Sequence, residues 1–78
     1  MVKIKRLLSD NYYVECINSN GISPVDIMGQ IREYLLEKEI GGFDKSVNTR
    51  ALFHTNIVLK GVVNFCVLNG INFEVEFD

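Results

Sequence analysis

His54 is the only histidine of this 78-residue chain, and it is the first place to look for chemistry. An imidazole works as a general base when a second group orients it and a nucleophile lies within reach. No Ser-His-Asp or Cys-His arrangement with recognisable local spacing surrounds it. A surface or loop-capping histidine is the plainer reading, and a small hydrolase using His54 stands only as a second alternative. Cys16 and Cys66 are the only cysteines. They lie 50 positions apart in apolar runs, and with one histidine they do not make a zinc site. The start, MVKIKRLL, has no apolar signal region. The expectation is two buried thiols in a reducing, cytoplasmic setting, with no disulfide, no metal and no cofactor.

Two charged groups remain. Glu74, Glu76 and Asp78 share one parity of a strand-like run, a pattern that fits a metal-binding or phosphate-mimicking edge. The ordinary reading is a solvated face with Lys3 or Lys5 as cross-strand partners. Lys3, Lys5 and Arg6 form a basic cluster near Tyr12 and Tyr13. Aromatic rings stack bases, so these five residues carry the alternative of a weak single-stranded nucleic-acid binder. Charges on an edge strand also discourage aggregation and need no ligand. The glycines show neither dinucleotide-binding nor phosphate-loop spacing. No catalytic residue is therefore assigned, and the chain is read as a non-enzyme.

Composition narrows the classes further. Net charge is −2, with 47% apolar and 23% charged residues. That is ordinary for a folded globule and poor for phosphate recognition, which needs a clustered positive footprint. No apolar run approaches the roughly 20 residues of a membrane span. The length suits a single small globular domain over residues 1–78, which buries only about 60–65% of its unfolded surface. Self-association or partner binding is the usual support for so small a core.

The elements that must position these residues follow from periodicity. Residues 2–8 and 12–17 alternate as two strands. A three-residue turn at Ser9-Asp10-Asn11 would set Lys5 opposite Glu15 and Ile4 opposite Cys16. After a loop at Asn18–Gly21, Ser23, Pro24 and Asp26 mark a helix start with a capping box. Met28, Ile31 and Leu35, widened by Ile27 and Tyr34, give the stripe of a helix from Pro24 to about Glu39. Gly41-Gly42 is read as its left-handed stop, and Gly29 as a point of close approach to the sheet. Asp44 to Asn48 reads as a loop. Residues 49–60 read as strand in preference to helix, with a kink at His54-Thr55-Asn56 as an option. Val62–Leu68 and Ile71–Phe77 flank Asn69-Gly70, a strong hairpin signal.

The predicted class is α+β: a single helix packed on a mostly antiparallel sheet, in the order β-β-α-β-β-β. One helix, about 10–12 Å across, cannot cover five strands spanning about 19 Å. Val62–Leu68 is apolar on both strand faces, and its second face lacks cover. Val63, Phe65 and Val67 are the candidate protein interface, with the hairpin register left open. The predicted function is a non-enzymatic protein-binding module. It would act as a homodimer or as a small accessory or inhibitor protein on another protein's surface. Compact acidic chains without motifs include inhibitors encoded by viruses and mobile elements, although no residue here carries that origin.

Overall fold

The alternation near the N-terminus and the stripe at 27–35 become the elements predicted, whereas the apolar run at 62–68 becomes a helix. The structure is a computed structural model and describes residues 1–7, 11–17 and 21–76. Leu8 to Asp10, Asn18 to Asn20, Phe77 and Asp78 lie outside the described residues, and with them much of two predicted loops and the end of the predicted last strand.

The order is β1 (Val2–Arg6), β2 (Tyr12–Cys16), α1 (Pro24–Glu37), β3 (Lys45–Ser46), β4 (Arg50–Phe53), α2 (Asn56–Asn69) and β5 (Phe73–Glu76). The class is α+β, but with two helices in the order β-β-α-β-β-α-β. The five strands lie as β3-β4-β2-β1-β5. All neighbours are antiparallel except β1 and β5, which run parallel, so the sheet is mixed.

Val2, Ile4, Tyr12, Val14, Cys16, Ala51 and Phe53 are buried on one face of the sheet. Both helices close that face. Ile27, Met28, Ile31 and Leu35 of α1 and Val58, Val62, Phe65 and Cys66 of α2 complete one core. The α2 set falls at i, i+4, i+7 and i+8, the stripe of an amphipathic helix. Phe65 packs edge-on against Tyr34 of α1, with ring centroids 5.7 Å apart. The prediction of a strand over Val62–Leu68 is thus corrected. Val62, Phe65 and Cys66 fall on both strand parities because the buried stripe of a helix uses both, whereas Val67 and Leu68 remain exposed; the second helix supplies the cover that one helix could not.

Asn69-Gly70 ends α2 instead of turning a hairpin. Gly70 takes the left-handed conformation at φ 64°. Ile71 N–H donates to the Cys66 carbonyl (2.9 Å) and Gly70 N–H to that of Val67 (3.4 Å). This is a Schellman closure, which uses the same residue pair that a tight hairpin prefers. The start of α2 is set by Thr55, whose Oγ1 accepts from Val58 N–H at 3.2 Å.

Five local predictions also shift. The β1–β2 register pairs Lys3 with Glu15 and Ile4 with Val14, two residues from the predicted register but on the same faces. Ser23 precedes Pro24 at the start of α1 without a side-chain capping bond. Residues 45–46, read as loop, form the short β3. The left-handed stop of α1 falls on Glu39 (φ 54°), ahead of Gly41. Residues 49–60 divide at the predicted kink: strand before His54, helix after Thr55.

Candidate functional site

Five strands leave one sheet face without helices, and its charges are ordered. Across neighbouring strands one row reads Arg50, Glu15, Lys3, Glu74. The next reads Lys45, Leu52, Tyr13, Lys5, Glu76. Opposite charges thus stand side by side, the pairing that stabilises an open antiparallel face. The basic cluster is divided by this arrangement. Lys3, Lys5 and Tyr13 share the open face, but carboxylates flank Lys3 on both sides and Lys5 on one. Tyr12 is in the core, stacked on Phe53 at 5.1 Å. Arg6 lies opposite Tyr12 at the end of β1. Glu74 and Glu76 hold the predicted strand parity on this face, beside Lys3 and Lys5; Asp78 is outside the described residues.

His54 follows β4, and its Nδ1 lies 2.7 Å from one carboxylate oxygen of Asp44. Both side chains are largely solvent-exposed. Asp44 N–H donates to the Leu52 carbonyl (2.8 Å), so the contact clasps the base of the β3–β4 hairpin. An oriented imidazole is half of a general-base device, but neither residue lines any of the grooves described below. Among the described residues no group of three or more His, Cys, Asp or Glu side chains is placed to hold a metal ion. No described helix is long and apolar enough to cross a membrane.

Cys16 and Cys66 are both buried. Burial pushes each thiol from 9.0 up to about 11, and a charge on Cys16 would raise Cys66 further. A neutral thiol is a poor nucleophile and a poor metal ligand.

Two surface grooves flank the helix layer. One, of about 710 Å³, runs between the C-terminal half of α1 and residues 41–46, with Leu35, Leu36 and Phe43 in its wall. The other, of about 380 Å³, lies between α2 and β5 and is lined by Leu59, Lys60, Val63, Asn64, Phe73 and Val75. Leu59, Val63, Phe73 and Val75 are half-buried against the core. Val67, one helical turn beyond Val63, is 64% exposed.

The predicted interface trio is therefore split. Val63 lines the groove between α2 and β5 and Val67 stands exposed one helical turn beyond it, whereas Phe65 points into the core at 4% exposure. The premise that Phe65 stands in a strand with Val63 and Val67 does not hold, because residues two apart on a helix diverge by about 160°. Leu59, Phe73 and Val75 were not singled out. Their signal was present as Leu59–Val63–Val67 at helical spacing and Phe73–Val75 at strand spacing.

β5 is also an edge. It pairs with β1 on one side, and among the described residues no strand lies on the other. Val2 N–H donates to the Asn72 carbonyl (2.9 Å). In a parallel ladder alternate residues carry the bonds, so Phe73 and Val75 turn their backbone groups outward. Comparison with protein-family models, curated proteins and solved structures finds no match to this chain.

Proposed function

We propose that the chain is a non-enzymatic protein-binding module that receives its partner along the groove between α2 and β5. The observation that carries this reading is the apolar wall of Leu59, Val63, Phe73 and Val75 beside a strand edge that is unpaired among the described residues. Edge strands expose backbone groups ready to pair, and natural sheets usually blunt them. An edge beside an apolar groove offers a partner both hydrogen bonds and burial. In this reading Val63 enters the contact as a wall of the groove, Val67 stands exposed one helical turn beyond it, and Phe65 belongs to the core instead.

The reading is tested with a photo-reactive amino acid at Asn64, in the groove wall, and a control at Glu33 on the exposed side of α1, both in the native host. The Asn64 probe should cross-link a protein, either another chain or a second copy, and the Glu33 probe should not. Equal yields at the two positions, or none at Asn64, would overturn the proposal.

A further inference from the structure

The β5 edge carries a charge pattern as well as backbone groups that no other strand among the described residues pairs. On the open face one row alternates in sign across four strands, the other passes from Lys5 to Glu76, and both stop at β5 on a carboxylate, Glu74 or Glu76. On the core side, Phe73 and Val75 face the groove walled by Leu59 and Val63. A strand added to β5 would thus meet carboxylates on one face and apolar side chains on the other. Opposite charges across a strand pair stabilise it, and like charges oppose it.

We infer that the groove takes an extended segment of a partner protein in which basic and apolar residues alternate, added to the sheet beside β5. This rests on the docking role proposed for that groove and names its occupant. Lysines or arginines of the added strand extend the two charge rows, and its apolar residues enter the groove. A second copy of this chain fits poorly. Antiparallel pairing of β5 with itself centred on Val75 places Glu74 opposite Glu76 on both sides of the centre. The opposite sheet edge, β3, has a lysine, but it is only two residues long and offers few backbone bonds.

The test uses labelled, end-blocked eight-residue peptides: alternating Lys/Val, alternating Thr/Val, alternating Glu/Val, and the Lys/Val composition in two separate blocks. The alternating Lys/Val peptide should bind at least tenfold more tightly than the Glu/Val and block peptides, and should weaken as salt rises. Val75→Pro removes an outward N–H at an edge position where proline is tolerated, and should weaken binding at least tenfold while the far-ultraviolet circular dichroism stays unchanged. Glu74→Gln with Glu76→Gln should level the Lys/Val and Thr/Val affinities.

Equal binding of the block peptide overturns strand addition, because unspecific charge would then suffice. Equal binding of Thr/Val and Lys/Val peptides to the native chain overturns basic selectivity but leaves groove docking standing. Binding by none of the peptides, with dimers that Val75→Pro disperses, identifies a second copy as the occupant and overturns the inference. Failure of the Asn64 cross-link removes the underlying docking reading separately.

Discussion

Cys16 of β2 and Cys66 of α2 are buried in the core as small apolar side chains, and their acidity is where they touch the chain's stability. The folded thiols ionise near 11 because burial opposes the charge, whereas the unfolded thiols ionise near 9.0. Below pH 9 both states are neutral and the full stability is present. Between pH 9 and 11 the unfolded chain loses these protons first, so stability falls as pH rises. Each thiol should contribute a loss of the order of 2 kcal/mol across that window. Denaturant titrations at pH 8 and pH 10.5 measure it, and Cys66→Ala should shrink the difference. Glu39 is a second residue with a measurable cost. It closes α1 in the left-handed region while Ile40 N–H bonds the Leu35 carbonyl (3.1 Å). A side chain there strains the backbone. Glu39→Gly should raise stability by about 0.5–1 kcal/mol in the same titration, the relief of strain exceeding the entropy glycine adds to the unfolded chain.

The close approach falls at Gly61, where the two helices meet, and not at Gly29, which the sequence offered as a point of close approach to the sheet. A methyl group on Gly61 would lie 2.7 Å from Leu35 Cδ2 and 3.1 Å from Ile40 Cδ1, whereas one on Gly29 would meet nothing within 4 Å. Gly61→Ala should therefore cost about 1–2 kcal/mol after its gain in helix propensity. Gly29→Ala should stabilise by about 0.5–1 kcal/mol. Thermal melts of the two variants check both signs. The same helix shows what the sequence left open. Strands β1, β2 and β5 and helix α1 were legible because alternation and the 27–35 stripe admit one period each. In 58–68 apolar side chains hold every position except Lys60, Gly61 and Asn64, so a period of two and one of 3.6 fit equally. Strand propensity and Asn69-Gly70 then favoured a hairpin, although the same pair closes a helix. Thr55 was the overlooked cue: a capping residue three positions before Val58, at the kink already suspected. The site was half legible for the same reason: Val63 and Val67 share a face in either period, whereas Phe65 joins them only if the segment is a strand.

The whole molecule is a two-layer structure with one helical face and one charged face. Its shortage of cover is therefore different from the one the sequence implied. Two helices suffice for the core, and what lacks cover is an edge. The parallel pairing of β1 with β5 then has a kinetic consequence. Val2 and Phe73 meet across 71 positions of sequence, so their pairing closes the longest loop in the sheet. Such contacts pay their closure entropy late. Among the described residues β5 is also held by one neighbouring strand and only half-buried side chains, which places it at the low end of local opening free energies. Its amides should exchange with deuterium faster than those of β2, which is paired on both sides. A strand bound in the groove would act as a latch: it favours the closed form by mass action and should slow exchange selectively in β1 and β5.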